Sequence, residues 1–267
     1  MKHVHWLGAG LSSIPGIRRL ANKLENFTVW NRTLEKAEAS LNHVDKVNVK
    51  AKTYNLDKIV SEIKPGDIIV SQLPANNHFE IAKICLEKNS HFASTSYLSP
   101  EIKGLNTDAK NKNLTFINEV GLDPGIDHFF SHLLVDDLKN KNLNDISVIY
   151  QSYCGGFPAI PNDFRYKFSW SPIGVIKALN NKAKFINSSE TKTVIPYKNI
   201  ENFLVNNEQY EAYPNRDSTP YISEYKFDES WKINEFVRGT LRLKGWQDAW
   251  SNIFKMLDSQ KQILMKK

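Results

Sequence analysis

His3-Val4-His5-Trp6-Leu7-Gly8-Ala9-Gly10-Leu11-Ser12-Ser13 is the stretch that decides the fold. A short β-type run meets two glycines, and Ile14, Ile17, Leu20, Ala21 and Leu24 then recur at helical spacing. Strand, tight turn, helix is the order a dinucleotide-binding unit needs. Gly8 makes the turn, Gly10 lets the backbone reach a pyrophosphate, and the helix N-terminus favours the negative charge. Ser13 stands where the fingerprint asks for Gly or Ala. Many strand-to-helix turns carry glycines for packing alone, so the units that follow must decide.

They repeat the pattern. Phe27 to Trp30 reads as a strand running into Asn31-Arg32-Thr33, with Thr33 placed to cap a helix over 34–41. An NAD-preferring fold puts an acid at this strand end, whereas Arg32 offers a forked cation for a 2′-phosphate, which favours NADP. A solvated loop arginine is the alternative. A strand over 46–54, a helix over 56–63 and the apolar strand Ile68 to Ser71 come next, ending at Gln72-Leu73-Pro74-Ala75. Asn76 or Asn77 starts a helix carrying His78, Ile81, Ala82 and Cys85. A strand over 91–94, Thr95-Ser96-Tyr97, a helix over 100–112 and the run Leu114 to Ile117 complete the series. This is an α/β reading, a Rossmann-like doubly wound parallel sheet, over residues 1–127. Its ligand belongs beyond the C-terminal strand ends, where Gly8, Arg32, Leu73, Ser96 and Asp123 are expected to share a crevice.

Composition bounds the rest. The chain has 267 residues, 41% hydrophobic and 24% charged, ordinary globular material with room for two modest domains. No apolar run reaches membrane-spanning length and no signal peptide is evident, so no membrane partner is expected. Two cysteines, Cys85 and Cys154, fit a reducing cytoplasm rather than a disulfide framework. The net charge of +6 is scattered, without the basic stripe and interleaved aromatics of a nucleic-acid groove.

Asn118 to His128 packs two glycines, a proline and two aspartates into a turn that closes the first half and aims Asp123 outward. Residues 128–267 then read as an α+β substrate-binding domain. A helix over 127–138 is expected to bury Phe129, Leu133 and Leu134. His128 and His132 stand four apart on it but lack a third conspicuous ligand, so no metal is expected. A strand over 146–153 reaches Cys154-Gly155-Gly156, where a ligand or another chain segment presses close. Cys154 is a small filler or a ligand contact. Tyr166 to Trp170 and 192–197 read as strands, 173–179 as a helix and 213–218 as a polar loop. The half-buried strand Phe236 to Leu243 puts Arg238 and Arg242 on one side, and an amphipathic helix with Trp246, Trp250, Ile253, Phe254 and Leu257 closes the chain. Each arginine is either a solvated strand residue or a two-pronged grip on a carboxylate.

Five motifs together resemble the saccharopine dehydrogenase family of the NADP-using, L-glutamate-forming type. They are Asn118-Glu-Val-Gly-Leu-Asp-Pro-Gly-Ile-Asp-His128, Tyr153-Cys-Gly-Gly-Phe-Pro158, Tyr166-Lys-Phe-Ser-Trp170, Tyr213-Pro-Asn-Arg-Asp-Ser218 and Arg238-Gly-Thr-Leu-Arg242. The resemblance implies a hydride transfer between NADP(H) and the CH–NH bond of saccharopine, linking it to glutamate and 2-aminoadipate 6-semialdehyde in lysine metabolism. It implies NADP at Gly8, Gly10, Leu11, Ser12, Arg32, Thr33, Leu73 and Pro74. It implies the amino-acid substrate at Ser96, Tyr97, Asp123, Cys154, Arg216, Thr240 and Arg242, with Asp123 and Tyr97 as candidates for catalysis. A ligand with three carboxylates and amine nitrogen needs arginines and an acid, which Arg216, Arg242 and Asp123 supply. Family members usually run longer. A compact variant, a fragment and one partner of a split enzyme stay open, as do a homodimer and a complementing C-terminal polypeptide. Two other functions remain: a reductase of another amine-linked amino acid such as carboxynorspermidine, and an NADP-binding protein without turnover.

Overall fold

The computed structural model describes residues 2–265, with side chains to residue 259. It divides into two compact units, residues 1–126 and 127–267.

The first unit alternates strand and helix: β1 (Val4–Leu7), α1 (Ile14–Lys23), β2 (Phe27–Asn31), α2 (Leu34–Ser40), β3 (Val49–Thr53) and α3 (Leu56–Glu62). Next come β4 (Ile68–Ser71), α4 (His78–Glu87), β5 (His91–Ser94), α5 (Pro100–Gly104), α6 (Asn106–Asn111) and β6 (Phe116–Ile117). The six strands lie in the order β3-β2-β1-β4-β5-β6, every neighbouring pair parallel. Period-two alternation divides the core between the two faces. Val4, Trp6, Phe27 and Val29 pack with Ile17, Ala21 and Ala37. Leu7, Trp30, Ile69 and Phe92 pack with Ile59, Ile81 and Ile102 from the opposite layer of helices. The strand order reverses between β1 and β4, the place where such sheets open a crevice. The helix expected over 100–112 is two helices meeting at Leu105.

A polar cluster around His5 of β1 is enclosed in this sheet. The Trp30 indole Nε1 donates to His5 Nδ1 at 3.2 Å, and His5 Nε2 faces Asp67 Oδ2 at 3.6 Å. The Asp67 carboxylate accepts from the backbone amides of His3 and Lys64. Burial, with the charge of His3 adding to it, depresses the His5 imidazole to about 4.

The second unit opens with α7 (Ile126–Asn140) and β7 (Ser147–Cys154), then α8 (Pro172–Asn180), β8 (Ala183–Asn187) and β9 (Glu190–Val194). β10 (Glu201–Val205), β11 (Glu208–Pro214), α9 (Tyr221–Glu224), β12 (Lys232–Leu243), α10 (Trp246–Ala249) and α11 (Ser251–Met265) follow. β12 is the spine of a mixed sheet, antiparallel to β11 and β8 and parallel to β7. Phe236 joins a core with Val135, Val148, Tyr150, Tyr225 and Trp231. A second core gathers Tyr166, Val175, Tyr197, Tyr213, Trp246, Trp250 and Phe254.

Several expectations for this unit are corrected. Phe129, Leu133 and Leu134 are 72%, 64% and 59% exposed, and α7 buries Ser131 and Val135 instead. The inward face won because it satisfies polar groups as well as packing: Ser131 Oγ donates to Asp127 O and shares a hydrogen bond with Tyr150 OH, both at 2.6 Å. His128 Nδ1 bonds Tyr225 OH at 2.8 Å, and the His132 ring meets Tyr225 edge-on. Tyr166 to Trp170 is not a strand; its alternating aromatics wrap Trp250, with Phe164 stacked on it at 4.7 Å and Tyr166 edge-on at 5.5 Å. β9 ends at Val194 because Pro196 starts a 3-10 turn. The closing helix is divided at Trp250 into α10 and α11.

An imidazole kept neutral in the folded chain and ordinary in the unfolded chain makes stability pH-dependent. The unfolded state binds the extra proton, so His5 costs nothing above the ordinary imidazole value of 6.5 and progressively destabilises the fold as pH falls toward about 4. The full effect is on the order of 3 kcal/mol. Urea midpoints measured between these limits are expected to fall more steeply in the wild type than in His5→Gln.

Candidate active site

The Gly turn hangs from three strand ends. Gly8 N donates to Trp30 O at 2.7 Å, Gln72 N donates to Leu7 O at 2.8 Å, and Gly8 has φ +100°. A Cβ on Gly8 would lie 2.9 Å from the Gln72 carbonyl oxygen, so the close approach admits no side chain. The Asn31 side chain at the end of β2 holds the next residues, accepting from Ala9 N at 3.0 Å and donating to Thr33 O at 2.9 Å. Gly10, Leu11 and Ser12 are exposed, and nothing lies within 4 Å of where a Cβ on Gly10 would be. That open backbone leads into the N-terminus of α1, with a non-acidic first turn, and fits a phosphate group. Arg32 is exposed without an ion-pair partner among the described residues, and Thr33 makes no side-chain cap to α2. Leu73 packs at the rim of the core beside exposed Pro74.

The ends of β4 and β5 are knitted by buried polar groups. His78, the first residue of α4, bonds Ser71 Oγ through Nδ1 and Ser96 Oγ through Nε2, both at 2.9 Å. Burial holds its imidazole below the ordinary value. Tyr97 OH donates to Asp123 Oδ1 at 2.7 Å, Thr95 Oγ1 to Gln72 Oε1 at 3.1 Å and Ser94 Oγ to Asn118 Oδ1 at 3.1 Å. The loop that carries Asp123 folds back on itself. Glu119 N and Val120 N donate to Ser96 O and Ser94 O, and Ile126 N returns to Gly121 O. Gly125 has φ +147°, and a Cβ there would lie 2.7 Å from the Gly121 nitrogen, so only glycine closes this loop. Ser96, Tyr97 and Asp123 thus form one cluster, with Asp123 oriented by a phenol.

In the second unit β12 brings three predicted residues together. Thr240 pairs with Cys154 of β7 on one side and with Tyr213 of β11 on the other. Arg242, two residues on and on the same face, is buried and donates through Nη2 to Tyr213 OH at 2.8 Å. Its guanidinium lies 4.8 Å from the Tyr166 ring centroid, 5.3 Å from Trp246 and 5.6 Å from Tyr213. Glu211 stands opposite in register, yet its carboxylate caps α10, accepting from Gly245 N and Gln247 N, both at 2.7 Å. Arg242 therefore has no carboxylate partner among the described residues, and its Nε is buried without a hydrogen bond. A buried cation caged by rings and lacking a counter-charge favours an incoming anion. Burial raises the Tyr213 phenol, opposed by Arg242 and the Thr240 hydroxyl.

Arg216 sits in the loop after β11 with φ +60°, its side chain exposed and its carbonyl accepting from Lys184 N at 2.8 Å. Arg238 is buried against Tyr221, 4.0 Å from its ring, and its Nη2 pairs with Asp127 Oδ2. The segment that presses on Gly155 is the backbone of Leu241. Among the described residues no group of His, Cys, Asp and Glu could hold a metal, and no helix is long and apolar enough to cross a membrane. Sequence reading passed over Asn31, His78 and Tyr213. Asn31 had a legible signal, a polar side chain directly after an apolar strand and opposite a glycine turn; the other two read as ordinary core positions.

Residues 4–117 match the family model described as the saccharopine dehydrogenase NADP binding domain, and residues 121–267 match the saccharopine dehydrogenase C-terminal domain. Over 261 residues the chain is 34% identical to the saccharopine dehydrogenase [NADP(+), L-glutamate-forming] of Pyricularia oryzae, covering 92% of this chain and 55% of that protein. The enzyme of the same name from Schizosaccharomyces pombe is 34% identical over 265 residues, covering 93% of this chain and 56% of that one. The solved apo saccharopine dehydrogenase (L-Glu forming) of Saccharomyces cerevisiae superposes with a TM-score of 0.77 at 31% identity, over 92% of this chain and 56% of that one. The chain spans about half the length of the curated relatives it matches.

Asn31→Ala removes the side-chain bond to the Gly turn and the bond to Thr33 O, and is expected to cost about 1–3 kcal/mol in urea unfolding because the Ala9 amide loses its acceptor. Asn31→Asp keeps that acceptor and is expected to recover part of the loss.

Proposed function

Because the chain belongs to the saccharopine dehydrogenase family, we propose that it carries the NADP and amino-acid sites of an oxidoreductase acting on the CH–NH bond of saccharopine. The observation that carries this reading is Arg242, a buried guanidinium without a carboxylate partner among the described residues, caged in aromatic rings beside Thr240 and Cys154. A ligand rich in carboxylates supplies the missing charge. The turnover is proposed for the assembled protein, in which further chain or a second polypeptide supplies the remaining length of the relatives.

In the first unit the open turn Gly8–Ser12 fits the pyrophosphate, with Arg32 and Thr33 toward the 2′-phosphate and Leu73 and Pro74 flanking the nucleotide. Bound NADP supplies the hydride exchange. Asp123, held by the Tyr97 hydroxyl, binds the substrate amine and takes its proton at a carboxylate oxygen in the oxidative direction. Water then cleaves the oxidised carbon–nitrogen linkage into glutamate and the aldehyde. Tyr97 fixes the direction in which Asp123 faces. Arg242 and Arg216 grip carboxylates, with Thr240 and Cys154 beside them. A cytoplasmic setting goes with this chemistry and with the low cysteine count.

Saccharopine-dependent reduction of NADP by the assembled protein tests the proposal. Turnover only with another amine-linked amino acid would replace the substrate, and cofactor binding without any turnover across a pH range would leave a nucleotide-binding protein. Arg242→Lys is expected to weaken saccharopine about 10- to 100-fold, the worth of charge-assisted hydrogen bonds, while sparing NADPH. Equal loss of both ligands in calorimetry would sink the assignment.

A further inference from the structure

We propose that His78 is a positioning residue that makes the Ser96 hydroxyl an obligate hydrogen-bond donor to a carboxylate oxygen of the bound amino acid, with Ser71 setting the direction. The identity of that ligand rests on the function proposed above; the direction of the hydrogen bonds does not.

Ser71 Oγ is enclosed at the end of β4, and its one hydrogen-bond partner among the described residues is His78 Nδ1 at 2.9 Å. A hydroxyl in that position has a single place to send its hydrogen. If Nδ1 carried a proton, the Ser71 hydroxyl hydrogen would be buried without an acceptor, a cost of about 1–3 kcal/mol. Ser71 therefore donates to Nδ1. A neutral imidazole then carries its proton on Nε2, and neutrality follows from the depth of the ring, which is packed edge-on to Phe92 and 2% exposed. Nε2–H faces Ser96 Oγ at 2.9 Å, so Ser96 accepts from the ring. Its own hydrogen has no acceptor among the described residues, and Ser96 is only half buried. A group that has already accepted, and must still donate, selects an oxygen acceptor and disfavours an ammonium. Ser96 is next to Tyr97, whose hydroxyl is committed to Asp123. The strand end thus presents two polarities side by side, a carboxylate for the amine and a hydroxyl donor for an acid group.

Two acceptors have the right chemistry, a substrate carboxylate and the carboxamide oxygen of the nicotinamide, and separate titrations distinguish them. In protein labelled with 15N-histidine, with the His78 signal assigned by its loss in His78→Gln, the ring shifts are expected to report the Nε2–H tautomer. An Nδ1–H tautomer would overturn the proposal. Ser71→Ala is expected to mix the two tautomers while leaving the fold intact, and an unchanged tautomer there would remove Ser71 from its role. In calorimetry on the assembled protein, Ser96→Ala and His78→Phe are expected to weaken saccharopine about tenfold and leave NADPH unchanged. His78→Gln, which retains a donor toward Ser96, is expected to recover most of the loss; a merely structural role would not be rescued this way. Loss on the NADPH side alone keeps the polarity of Ser96 and moves the acceptor to the carboxamide. No loss for either ligand refutes the proposal. A wild type that binds NADPH but never saccharopine defeats the substrate reading, while the tautomer and the NADPH titration still decide this one.

Discussion

A backbone carbonyl, that of Gln72, occupies the space where a side chain on residue 8 would begin. The ends of β1, β2 and β4 meet only because residue 8 has none, and the Gly turn, Asn31 and Gln72 are suspended from those ends. Gly8 bonds back to β2 and Gln72 bonds back to β1, so the turn is part of the sheet's own ladder rather than a loop appended to it. The backbone must leave the strand, turn sharply and enter a helix, and it leaves Gly10, Leu11 and Ser12 exposed as it does so.

Much of the first unit could be read from the sequence because parallel strands covered on both faces are short apolar runs and the segments between them have helical period. The Gly turn, Arg32, Ser96 and Asp123 could be placed at strand ends for the same reason. Side-chain clamps were less legible. Asn31 follows an apolar strand, which marks its position, but His78 acts through a contact with residue 96, and no local pattern announces a partner so distant in sequence. The second unit hid more. β9 and β10 are largely exposed strands, and β8 and β11 show no clean alternation, so periodicity had little to register. On α7 the apolar stripe pointed the expected reading outward-in. The polar face with Ser131 and His128 was buried instead, because Tyr150 and Tyr225 offered it hydrogen bonds.

Two buried arginines on one strand illustrate how environment divides like side chains. Arg238 is neutralised by Asp127 and stacked on Tyr221, a pair that ties α7 to β12. Arg242, four residues on, meets rings and a phenol, while its opposite acid is spent on α10. An unpaired buried charge is costly, and around Arg242 the ring quadrupoles and the Tyr213 hydroxyl offset that cost in place of a carboxylate. Two arginines four residues apart are thus an ion pair at one position and a ring-caged cation at the other.

β12 has a mechanical corollary. Its residue Phe236 belongs to one core of the second unit, while its far end at Arg242 touches the rings of the other. A continuous strand of 12 residues that spans both transmits loss of order from either core along hydrogen bonds to the other. The two cores of this unit are therefore coupled through one backbone, and the buried middle of the strand, Phe236 to Gly239, is where amide exchange is expected to be slowest.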